Sequence, residues 1–160
     1  MIEMYQFLAT IPEKTLREKQ GQVVDKFCCK GIGKHCVYFI SDGFFVKIGR
    51  AENVFERLKE LQTANPSRLI ILAIYPSCKA DVADDEKMYH ELFEEKRVRG
   101  EWFYLTDSDF YEHGSARGTI RFPDYFSSDF KKYGYYKKQA VIQNNINDRL
   151  HGSYKKAYPN

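Results

Sequence analysis

Cysteine is scarce in this chain and badly spaced for metal or disulfide chemistry. Cys28, Cys29, Cys36 and Cys78 form no Cys-x-x-Cys pair and match no zinc-ligand spacing. Cys28 and Cys29 are adjacent and would bridge each other poorly, so the thiols are read as reduced ones in a cytoplasmic protein. No apolar run approaches the about 20 residues needed to cross a bilayer. The start, MIEMYQFLATIPEK, lacks a basic segment followed by an apolar core, so no signal peptide is expected. There is one tryptophan, no internal repeat and no low-complexity tract. A net charge of only +3 excludes a uniformly basic chain. Its distribution is uneven: residues 107–160 hold nine Lys/Arg against six Asp/Glu, whereas residues 31–106 hold eleven against twelve.

What is present is a globular balance, 43% hydrophobic and 29% charged. Residues 1–33 read as a helical extension, with Pro12 suited to a helix start and Leu16, Val23, Val24 and Phe27 at roughly helical spacing. Residues 36–49 read as a β-hairpin, because CVYFI and FFVKI flank an Asp-Gly turn signal. A helix is predicted over 53–64, with Asn53 and Glu56 resembling a capping box. RLIILAIY, residues 68–75, reads as a buried strand. A second amphipathic helix is expected over 80–96, and EWFYL at 101–105 as a last strand. The predicted order ββαβαβ defines an α+β fold, a small mainly antiparallel sheet flanked by helices over residues 34–106. Residues 107–160 form a basic, aromatic-rich extension, expected to supply one or two helices. Lys131, Lys132, Lys137 and Lys138 are its candidate nucleic-acid contacts.

One residue breaks the pattern of the second helix. Val82, Tyr89 and Phe93 share a face, and Glu86 falls in the middle of it. A carboxylate there is costly unless partnered. It pairs with an Arg, binds a metal, or reaches solvent because the helix is rotated. His90 lies one turn on, either a second ligand or a rim histidine. Arg57 sits at the edge of the first helix's apolar stripe, placed for bidentate contact with a phosphate or a carboxylate, Glu86 among them. Lys47 alternates with Val46 and Ile48 and should face away from them. Trp102 reads as core, with a base-stacking platform as the rival role.

These residues together resemble the GIY-YIG nuclease domain. Cys36-Val37-Tyr38 stands where Gly-Ile-Tyr would be, and Lys47-Ile48-Gly49 where Tyr-Ile-Gly would be. Arg57 follows Gly49 by eight residues, similar to the family's spacing to its catalytic arginine. Glu86-xxx-His90 followed by Gly100-Glu101-Trp102-Phe103 resembles the phage- and prophage-associated branch, which commonly carries Lys-Ile-Gly in the second motif. The resemblance covers residues 36–106. It implies a metal-dependent endonuclease that hydrolyses nucleic-acid phosphodiester bonds, with Mg²⁺ or Mn²⁺ the cofactor; the substrate is not set by the resemblance, and DNA is the one expected. It implies products with a 5′-phosphate and a 3′-hydroxyl. Tyr38 takes the place of the general base or water-positioning group, Arg57 holds the scissile phosphate, and Glu86 holds the metal. Gly49 would let the backbone pass close to the site, with Arg50 and His90 as accessory groups. Lys47 replaces a tyrosine, and this departure motivates the alternative, an inactive nucleic-acid- or protein-binding module on the same fold.

Overall fold

The computed structural model describes residues 2–28, 33–114 and 118–126, and these belong to one compact unit, Met1–Phe126. Among the described residues, the strands Cys36–Ser41 (β1), Val46–Ala51 (β2), Ile70–Pro76 (β3), Arg97–Arg99 (β4), Trp102–Phe103 (β5) and Ile120–Arg121 (β6) form one antiparallel sheet in the order β4-β5-β2-β1-β3-β6. Its centre is the hairpin of β1 (Cys36–Ser41) and β2 (Val46–Ala51), with β3 (Ile70–Pro76) on the other side of β1. The hairpin forms where the Asp-Gly signal lies. Gly43 takes φ 104°, and Asp42 Oδ1 accepts from the amides of Phe44 and Phe45 at 2.9 Å each.

Helix α3 (Val54–Thr63) starts at Asn53, whose side chain accepts from Phe55 N at 3.1 Å and Glu56 N at 3.2 Å. Only this half of the expected capping box forms, since Glu56 turns to Lys59 at 3.2 Å. Helix α4 (Val82–Leu92) is shorter than expected, and a 3₁₀ turn, Glu94–Lys96, follows it. Two short strands come next, β4 (Arg97–Arg99) and β5 (Trp102–Phe103), turning at Gly100 with φ 56°. The single predicted strand is therefore an edge hairpin, and the order becomes ββαβαββ. Val82, Tyr89 and Phe93 are buried together as their spacing requires.

Tyr38 and Phe39 are neighbours in β1, so their side chains leave opposite faces of the sheet. Phe39 meets Tyr89 of α4 edge to face, with centroids 5.0 Å apart, which puts α4 on the Phe39 face. Tyr38 meets Arg57 of α3, which puts α3 on the other. Two N-terminal helices, α1 (Glu3–Ala9) and α2 (Glu13–Phe27), also pack on this unit. Gly21 does not interrupt α2, and Phe27, expected on its apolar face, is 40% exposed at its end.

The segment after 106 is tied into the sheet more closely than its composition suggests. Asp107, in the single turn α5 (Asp107–Asp109), accepts from the amides that start α1, Glu3 N at 3.0 Å and Met4 N at 3.1 Å. Phe110 packs on Phe39 with centroids 5.6 Å apart. The strand β6 (Ile120–Arg121) pairs with β3, and Phe122 is fully buried. Lys131, Lys132, Lys137 and Lys138 lie outside the described residues. Among the described residues, no helix is long and apolar enough to cross a membrane.

Candidate active site at the outer edge of β2

Strand β5 pairs with β2 only at Val46 and Lys47, so β2 has an open outer edge from Gly49 onward. Ile48 sits at the boundary. Its amide donates to the Glu101 carbonyl at 3.0 Å, and its carbonyl accepts from His90 Nε2 at 2.9 Å. Nε2 of His90 therefore carries a proton and is spent on the backbone, and the ring lies against Phe103 with centroids 5.3 Å apart. This geometry makes His90 a brace between α4 and β2.

Tyr38 is the cross-strand partner of Gly49, and its phenol occupies the space a side chain at 49 would fill. A Cβ built on Gly49 would lie 2.3 Å from Tyr38 Oη and 2.5 Å from Cζ. Gly49 has no positive φ, so glycine is needed here for space, not for conformation. Lying across β2, the phenol points to the open edge, where Arg57 Nε donates to Oη at 3.4 Å. Burial raises the Tyr38 pKa above the usual phenol value. Arg57 opposes the rise, and the charges of Glu101 and Glu86 reinforce it. Both carboxylates therefore act on the same phenol, although they approach from different elements.

Glu86 is largely buried and meets Arg50 Nη1 at 3.4 Å. Arg50, not Arg57, is thus its cation, and Arg57 pairs with Glu60 at 2.8 Å. The Arg50 contact is long and Arg50 is half-exposed, so the Glu86 oxygens keep lone pairs for another ligand. Among the described residues, no group of three or more His, Cys, Asp or Glu is placed to enclose a metal. The donor set fits an ion that keeps most of its waters and takes phosphate oxygens, which is the habit of Mg²⁺. It does not fit a closed protein cage.

Lys47 faces away from Val46 and Ile48 as alternation requires, but it does not reach solvent. Its side chain is only 11% exposed, with Nζ 2.5 Å from Glu101 Oε2 and 5.9 Å from the Trp102 ring centroid. Glu101 is the site residue that the sequence reading left without a role. It lies in a turn, outside any periodic pattern, and only the β4–β5 hairpin carries it to Lys47. Burial tends to raise its pKa, but the hydrogen bond and charge of Lys47, helped by His90 and Arg57, hold it below the usual carboxylate value.

The asymmetry of that pair is testable. Glu101→Ala strands a buried ammonium, whereas Lys47→Met leaves a carboxylate that is 43% exposed and can stay hydrated. After discounting for solvent screening, Glu101→Ala is expected to destabilise by about 2 kcal/mol and Lys47→Met by less than about 1 kcal/mol, read by urea unfolding. The folded Glu101 pKa lies below the unfolded one. Its contribution is therefore complete above the unfolded value and fades as pH falls through the folded one, so Glu101→Ala should converge with wild type in acid.

Cys28 and Cys36 are buried, and burial pushes the Cys36 pKa far up.

This sheet edge gathers a phenol, an arginine and two carboxylates on an α+β scaffold. The T5orf172 domain, a nuclease-like phage domain, matches residues 35–117, and the chain belongs to that family. No curated protein and no solved structure matches the chain.

Proposed function

We propose that the chain is a GIY-YIG-type endonuclease that hydrolyses phosphodiester bonds, with DNA as substrate and Mg²⁺ or Mn²⁺ at Glu86. The observation that carries this reading is the Tyr38–Arg57 hydrogen bond over the bare backbone of Gly49, within electrostatic range of Glu86. In the free protein Tyr38 keeps its proton, because burial raises its pKa. It therefore orients the attacking water and becomes a base only when positive charge is added beside it. Arg57 holds the scissile phosphate and meets the charge that grows on it. A divalent ion, when bound, supplies neutralisation of the phosphate and the leaving oxygen. Arg50 shares Glu86 and is exposed enough to swing to a neighbouring phosphate.

The test is incubation of the protein with plasmid, single-stranded DNA and RNA, with and without Mg²⁺ or Mn²⁺, beside Glu86→Ala. Metal-supported cleavage that disappears in Glu86→Ala is the expected result. Cleavage that survives intact in that variant would remove Glu86 from the site.

A second reading is a module that grips nucleic acid without cutting. It is favoured by the internal pairing of the site's charges, Lys47 with Glu101 and Glu86 with Arg50. It requires salt-sensitive binding that added metal leaves unchanged, with no cleavage under any condition.

A further inference from the structure

Aromatic rings stand in solvent beside the site. Val46 and Phe103 are cross-strand partners and both are fully buried. The next rung of the same ladder is Phe45 and Tyr104, whose rings meet edge to face with centroids 6.3 Å apart. Alternation turns this rung away from Val46 and Phe103, onto the face that carries Lys47, Trp102 and Tyr38. Phe45 is 37% exposed and Tyr104 is 59% exposed. The face therefore presents three rungs in order: Phe45 with Tyr104, Lys47 with Trp102, and Gly49 with the Tyr38 phenol.

Exposed rings in a row that run up to a phosphate-binding edge call for a specific occupant. Same-face positions recur about 6.8 Å apart along a strand. That is wider than the about 3.4 Å rise of paired, stacked bases, so the rungs suit bases pulled apart from one another. A cation flanks the rings: the exposed Arg99 is the β4 partner of Trp102, whereas Lys47 is buried against Glu101. Rings for bases and a cation for a backbone, continuous with a candidate phosphate site, fit an unpaired strand better than the apolar face of another protein.

We propose that this face is a stacking track for single-stranded nucleic acid, which leads the strand to Tyr38 and Arg57. The proposal rests on the nuclease reading and gives it a substrate class. Bases stack on Tyr104, Phe45 and the exposed part of Trp102, and the sugar-phosphate chain follows the exposed Arg99 toward Arg57.

Trp102 is the sole tryptophan, so its fluorescence reports occupancy directly. The protein is titrated in EDTA, which prevents metal-supported cleavage, with an oligo-dT strand and with a DNA duplex of equal length. Oligo-dT is expected to quench Trp102 and to bind at least about tenfold more tightly than the duplex. Phe45→Ala and Tyr104→Ala should each weaken oligo-dT binding about tenfold, and Phe45→Tyr and Tyr104→Phe should preserve it. Both positions are exposed, so the alanine variants are expected to fold, and circular dichroism checks this. Equal affinity for duplex, or alanine variants that bind like wild type, would overturn the track. So would rings that matter only to self-association in sedimentation. Cleavage in Mg²⁺ is scored separately. Cutting without ring dependence sinks the track and leaves the nuclease. Ring-dependent binding without cutting in any metal leaves the track and sinks the nuclease.

Discussion

Arg57→Ala is expected to lower metal-supported cleavage by about 10²–10³-fold, the cost typical of removing one preorganised group that meets transition-state charge. Two hydrogen bonds, to Tyr38 Oη and to Glu60, use only two of its five N–H donors. The rest are free for a phosphate, and the side chain is 40% exposed. Loss of the side chain also leaves the buried phenol without its cation, so the Tyr38 pKa should rise further. Stability should change by no more than about 1 kcal/mol, because the lost contacts are partly solvated. Arg57→Lys should recover little, since one ammonium cannot hold Tyr38, Glu60 and a phosphate at once. Single-turnover cleavage at saturating protein is the measurement. A rate within threefold of wild type would show that Arg57 is a structural partner of Tyr38 and nothing more.

Gly49→Ala should cause the largest loss of stability. The added methyl meets a fully buried tyrosine whose ring has no room to retreat, and the clash involves Cζ as well as the hydroxyl. Overpacking of this kind costs about 2–3 kcal/mol. Tyr38→Phe should not relieve it, because the ring carbon remains. Shortening the side chain to Leu should relieve part of it. The double variant Gly49→Ala/Tyr38→Leu is then expected to be less destabilised than the sum of the two single changes, read as a coupling energy from urea unfolding. A Gly49→Ala variant as stable as wild type would mean that Tyr38 can leave its place over β2, and the site geometry would have to be drawn again.

The parts of this fold that were legible in the sequence are those where local chemistry and tertiary packing agree. The hairpin is announced by Asp42-Gly43 between runs rich in β-branched and aromatic residues. Asn53 announces α3, and the spacing of Val82, Tyr89 and Phe93 defines the buried face of α4. The mid-face position of Glu86 predicts a partner of some kind. That the partner is Arg50 depends on strand pairing, which no local pattern encodes. Glu101 reads only as part of the Glu-Trp-Phe ending, without a role, for the same reason. It is one charge among many until β5 folds back beside β2. β4 escaped notice because Arg-Val-Arg at an exposed edge reads as the charged end of a helix. β6 escaped because two residues carry no period at all. Gly49 was read as making room for the backbone, and the group it makes room for is the phenol opposite.

The closing role of β6 bears on how small a piece of this protein can stand alone. An excised fragment ending at 106 would keep every residue of the candidate site, yet it would lose Asp107 from the start of α1 and Phe110 from its place on Phe39. It would also uncover the outer backbone of β3 at Ala73 and Ile74, the two positions with which β6 pairs. Such an edge recruits other strands. A working fragment therefore has to extend through Phe122, and cutting earlier would exchange a chemically complete domain for an adhesive one.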